Sequence, residues 1–133
     1  MYVTDTHAFV HHSQRKTSKL GRRSRRVFRD ADEGKALIYV PTIVLWEIVR
    51  PPGLLSHRDR FDSWCRHLNE GPGYAIAPLE WQDVNEARYL PFRDPADCLI
   101  VGTALRLGMP LNTAIVLWVG VLNGAFVLLL VLQ

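Results

Sequence analysis

Short apolar runs alternate along this chain with longer stretches of mixed character, and that alternation predicts its elements. Tyr2-Val3-Thr4 is a β-prone run. Ala36 to Val40 has the length of a buried strand, Tyr74 to Pro78 forms a third, and Leu111-Asn112-Thr113 begins a fourth. Helical periodicity fills the gaps. Thr6 to Val10 follows the first strand. Lys19 to Glu33 is polar, with Leu20, Val27 and Phe28 for its inner side. Ile43 to Val49 is apolar except for Glu47, which predicts a helix buried all round. Arg50-Pro51-Pro52-Gly53 breaks it. Arg58 to Asn69 carries Phe61, Trp64, Cys65 and Leu68 as one stripe, and Glu70 to Gly73 is a turn. Glu80 to Leu90 is expected to turn Trp81, Val84, Ala87 and the stem of Arg88 inward. The order β-α-α-β-α-α-β-α-α-β predicts an α/β fold: a short central parallel sheet flanked by helices.

The last helix has the sharpest start. Asp94 suits the N-cap, Pro95 the first helical position, and Gly108 with Pro110 ends the helix. Asp97 stands at its mouth, above an apolar stripe of Ile100, Val101 and Ala104. Capping alone would account for both acids.

Two further acids change that picture. Asp5 ends the first strand, where open α/β sheets place their ligands, and it also suits an N-cap. Glu47 sits in the apolar helix after the second strand. A buried carboxylate costs several kcal/mol unless it is paired, hydrogen-bonded or metal-bound, so an Arg partner or a helix-edge position would also explain it. In a parallel sheet, strand C-termini and helix N-termini share one edge, so Asp5, Glu47 and Asp97 can converge there. Oxygen ligands of this type suit Mg2+ or Mn2+, and such a metal acidifies bound water and clamps a phosphodiester. His7 and His11 share a helix face at i, i+4, without a third ligand to make a zinc site.

Composition adds one asymmetry. The 133 residues are 48% hydrophobic, enough for one domain with a real core, and the net charge is only +3. Yet Arg15, Lys16, Lys19, Arg22, Arg23, Arg25, Arg26 and Arg29 crowd one early segment, and nothing beyond Arg106 is charged. Such a run is either a solvated face or a phosphate-contacting patch. Cys65 and Cys98 are isolated and suit a reducing compartment. No secretory signal is read at the start, and a cytoplasmic location is expected.

Taken together, these blocks resemble the PIN-domain proteins found as VapC-type toxins of bacterial toxin–antitoxin pairs. The matching residues are Tyr2 to Val10, Leu20 to Arg23, Ile38 to Ile48, Asp94 to Ala104 and Pro110 to Thr113. The resemblance covers residues 1–113 and implies a three-layer PIN-like fold. It implies a metal-dependent endoribonuclease using Mg2+ or Mn2+, an RNA substrate, a cognate antitoxin protein and a homodimer. The leading acids of the family map onto Asp5, Glu47 and Asp97 as catalytic residues and metal ligands. Thr6, Asp94 and Thr113 match supporting positions. With an RNA substrate, Arg22, Arg23, Arg25 and Arg26 become its expected contacts.

Two departures stand out. Cys98 occupies a position that is often Arg in similar proteins, and Ile115 stands where the family commonly has another Asp. Residues 1–113 are therefore expected to form a PIN-like nuclease domain that is incomplete at its C-terminal end, and residues 114–133 an atypical apolar tail. A change of reading frame near Thr113 would produce such a break. As a helix, residues 114–132 would reach about 28 Å, close to a bilayer's hydrocarbon thickness, so a membrane-anchored form is the alternative to an altered tail on a soluble domain. With no acid at position 115 activity is expected to be low or absent, and an inactive protein that still binds an antitoxin is the further alternative.

Overall fold

The computed structural model describes residues 1–50 and 60–113. Four parallel strands form the sheet: β1 (Tyr2–Thr4), β2 (Ile38–Pro41), β3 (Tyr74–Ala77) and β4 (Leu111–Asn112), in the order β3-β2-β1-β4. Between β1 and β2 lie α1 (Thr6–Ser13), a 3₁₀ turn at Thr17–Lys19, and α2 (Arg22–Asp32). The later crossovers carry α3 (Thr42–Val49) with α4 (Phe61–Glu70), and α5 (Trp81–Ala87) with α6 (Pro95–Leu107). This is the three-layer α/β arrangement that the alternation predicts. The turn at residues 51–53, the start predicted for α4 at Arg58 and the tail at 114–133 lie outside the described residues. No described helix is long and apolar enough to cross a membrane.

Apolar burial organises the layers. Val3, Ile38, Val40 and Leu111 from the sheet pack with Phe28, Val44, Ile48, Ile100 and Val101 from the helices, all fully or almost fully buried. Each such side chain contributes roughly 1.5–3 kcal/mol relative to an exposed one. The inner positions read for α2 and α4 are buried or half-buried as expected, and Ser24 and Ala31 join those of α2. Local caps stand where the residues put them. Asp5 caps α1 by accepting from the Ala8 N–H at 2.8 Å, Asp94 caps α6 by accepting from Ala96, and Gly108 ends α6 in the left-handed region at φ 62°.

Two helix faces differ from the expectation. α3 is not buried all round: Val44, Leu45 and Ile48 face the core, while Trp46 is 58% exposed and Glu47 half-buried. It packs on α1 and α6 along one side only. α5 is turned the other way. Trp81 (74% exposed) and Val84 face outward, and the buried pair is Asp83 and Ala87. The cause is α6. A methyl group at Gly102 would meet the Asp83 carbonyl at 2.3 Å, so the two backbones touch where no side chain fits. Arg106 on α6 then donates to the Asp83 carboxylate and draws that face of α5 inward.

Candidate acid site and arginine surface

Strand register builds the acid site. Thr4 pairs with Asn112, and the next residue, Asp5, donates its backbone N–H to the Asn112 carbonyl at 3.2 Å. Asp5 is therefore held at the shared edge by β1, β4 and the first turn of α1. One carboxylate oxygen accepts from Ala8 N–H, and the other accepts from the Thr113 hydroxyl. The neighbouring Thr6 hydroxyl donates to Glu47 on α3. Asp97 stands three residues into α6, with Asp94 beside it and Glu47 opposite, each acting on it electrostatically.

Burial and neighbouring charges act on Asp5 and Asp97. Burial pushes the Asp5 carboxyl above its usual range, and Asp97 adds to the shift, against the hydrogen bonds from Thr113 and Ala8. Asp97 is also raised, first by burial and then by Asp94 and Glu47. His7 is the cation-forming side chain that acts on both acids in the opposite sense. Sequence reasoning paired His7 with His11. The structure places it with the acids, a neighbourhood readable from its position two residues after Asp5 in the first turn of α1. His11 is half-buried, and burial with Lys19, His7 and Lys16 lowers its pKa.

Asp97 is thus the acid that links the other two, acting on Asp5 and acted on by Glu47. Among the described residues, no three His, Cys, Asp or Glu side chains stand close enough to hold a metal ion together as they are posed. Each carboxylate is turned to a local partner or to solvent, and like charges gain by standing apart. The donor set still fits a hard divalent cation: all three offer oxygen ligands, and no Lys or Arg is among the charges acting on Asp5 or Asp97. Asn112 adds a feature the sequence did not flag: its amide is fully buried beside this edge, with no hydrogen-bond partner for either polar atom among the described residues.

These shifts have a sign. A carboxyl whose folded pKa is raised stabilises the fold fully below its unfolded value, about 4, and that contribution is lost as pH rises through the folded value. The stability gained by Asp97→Asn in metal-free protein is therefore expected to be near zero at about pH 4 and to grow toward neutrality. Urea midpoints for parent and variant across that window measure it. A gain that shrinks as pH rises would contradict the coupling.

The arginines of α2 lie elsewhere. Arg22, Arg23, Arg25 and Arg26 are all exposed and, with Arg29, line one cleft of about 450 Å³. A neighbouring cleft of about 320 Å³ joins Arg23 and Arg26 to Asp30, Val27 and Tyr2.

A family model described as the PIN domain matches residues 2–114. Comparison with curated proteins gives no match.

Proposed function

Because this chain belongs to the PIN domain family, we propose that it is an endoribonuclease dependent on Mg2+ or Mn2+ and acts as the VapC-type toxin of a toxin–antitoxin pair. Nuclease chemistry on nucleic acid is the general property of that family, and a divalent cation its general requirement. The observation that supports the finer reading is Asp97, which acts electrostatically on Asp5 and is itself acted on by Glu47, with His7 the charge of opposite sign acting on Asp5 and Asp97.

Asp5, Glu47 and Asp97 would hold the cation. When bound, it neutralises phosphodiester charge and acidifies a water. Thr113 keeps the Asp5 carboxylate oriented, and Thr6 does the same for Glu47. Asp94 caps α6 and keeps negative charge beside Asp97. RNA is the substrate and a cognate antitoxin protein the neutralising partner, with a homodimer as the working form and the cytoplasm as its place. Residues 1–113 form the nuclease domain, and the apolar segment 114–133 departs from it. Ile115 supplies no carboxylate where the family commonly has one, which lowers activity.

The test is purified protein with RNA and either metal. Saturating metal is expected to raise the melting temperature, because a ligand bound only by the folded state at 100 times its Kd adds about 2.7 kcal/mol. Cleavage should require the metal and stop with a chelator. Ile115→Asp should cleave faster, on the order of 10-fold, as restored support for a metal site does. A melting curve indifferent to both cations would overturn the metal site, and equal rates for the parent and Ile115→Asp would remove any role for position 115.

A further inference from the structure

The α2 surface carries charge that no ion pair among the described residues offsets. The helix begins at Arg22 behind Gly21, which offers no side-chain cap, and its first turn holds Arg22, Arg23 and Arg25 with no acid. Cations at a helix N-terminus oppose the helix dipole, and the orphan N–H groups there want an acceptor. Among the described residues, none of the five arginines closes an ion pair; the arginine ion pairs are Arg66 with Asp62, and Arg106 with Asp83 and Glu80. Asp30 lines the smaller cleft without reaching Arg23 or Arg26, and Arg29 acts on Glu33 only at a distance. Helix packing holds this unfavourable arrangement in place, because Ser24, Val27, Phe28 and Ala31 are buried on the other side. Local rules broken on a well-anchored helix mark a surface shaped for a ligand. That ligand is a polyanion.

Two observations say which one. Among the described residues, those lining the larger cleft are arginines, with no apolar anchor of the kind protein partners use. Arg22 and Arg29 stand about 10 Å apart along the axis at 1.5 Å per residue, a row long enough for successive phosphates. Guanidinium forks suit phosphate oxygens. The surface is also separate from the acids. Its arginines are not among the charges acting on Asp5 or Asp97. The smaller cleft reaches Tyr2, the first residue of β1, whereas Asp5 follows the last, roughly 10 Å away at 3.3 Å per residue.

We propose that the arginine face of α2 docks the phosphate backbone of an RNA segment outside the cleavage site, so that the preferred substrate is a long, folded RNA and not a short oligonucleotide. This deepens the nuclease reading and rests on it for the location of cleavage.

Fluorescence anisotropy of the full chain in chelator separates binding from cleavage. The parent is expected to bind a stem-loop RNA more tightly than a short single strand, with a steeper salt dependence. The double variant Arg22→Gln/Arg26→Gln should bind the stem-loop at least about 10-fold more weakly. Its log–log salt slope should fall by roughly 1.8, at about 0.9 for each phosphate no longer neutralised. Arg66→Gln on α4 serves as the control and should change neither. An unchanged slope overturns the proposal. So does an equal loss for both RNAs, which would put the arginines at the acids. Binding of poly-glutamate without binding of RNA overturns it in favour of an acidic protein. Arginine-dependent RNA binding without cleavage in Mg2+ or Mn2+ would sustain the docking surface and sink the nuclease reading.

Discussion

Asp97→Asn is expected to lower kcat/KM for RNA cleavage by at least about 100-fold, some 2.7 kcal/mol of transition-state stabilisation. The amide is nearly isosteric but neutral, so it offers a cation one weak donor in place of a charge. Helix α6 keeps its start, because Asp94 caps it and Pro95 occupies its first position. The metal-free variant should therefore be as stable as the parent or more so, since Asp94 and Glu47 are relieved of a like charge. Asp5→Asn should lose a similar factor in rate, and in metal-free protein its stability relative to the parent should also grow toward neutral pH, because burial and Asp97 raise the Asp5 carboxyl. One of its oxygens caps α1 and the other accepts from the Thr113 hydroxyl inside the buried edge. An amide can keep both contacts, its oxygen accepting from the Ala8 N–H and its NH2 donating to the Thr113 hydroxyl oxygen. Single-turnover cleavage and urea titration of both variants check the pair. A rate for Asp97→Asn within about threefold of the parent would remove this acid from the chemistry, because deleting a preorganised transition-state interaction ordinarily costs about 10²–10³ in rate.

Arg106→Ala is expected to destabilise the protein by about 3–5 kcal/mol. The Asp83 carboxylate is wholly inaccessible to solvent, and Arg106 donates to both its oxygens. The same guanidinium donates to the Pro78 carbonyl at 3.2 Å and lies 3.6 Å from Glu80. Asp83 also accepts from the Glu80 N–H at 2.9 Å, closing the capping box that starts α5. Removing the arginine leaves the Asp83 charge held by that one bond. At this chain length the loss corresponds to roughly 10 °C in melting temperature. Arg106→Lys should fall between parent and alanine, because a single ammonium cannot span both oxygens. Adding Asp83→Ala to Arg106→Ala should restore part of the stability by deleting the stranded charge. A loss below about 1 kcal/mol for Arg106→Ala would show that the pair contributes no more than a surface ion pair.

Much of this protein is local, and the local part was legible. Every strand, each helix of the three crossovers and the start of α6 follow from apolar spacing, from Asp94, Pro95 and Gly108, and from the length of the runs. These signals act between residues a few positions apart, where a cap or a forbidden N–H makes the decision before any tertiary contact forms. The places of Asp5 just after β1 and of Asp97 in the first turn of α6 were legible too, because parallel strands send their C-termini to one side.

What the chain could not announce are the outcomes that depend on distant partners. Periodicity assigned Trp81 and Val84 to the core. Arg106, twenty-three residues beyond Asp83, and the bare backbone of Gly102 turned that helix over. An ion pair satisfied in the interior outweighed the burial of a second apolar face, since the carboxylate would otherwise be stranded. Glu47 looked like a buried charge in search of a cation. The tertiary structure left it half-exposed and supplied a threonine hydroxyl from α1. Likewise, the run of arginines did not say which of them face out, and packing decided it, because Ser24, Val27, Phe28 and Ala31 fill the inner face of α2.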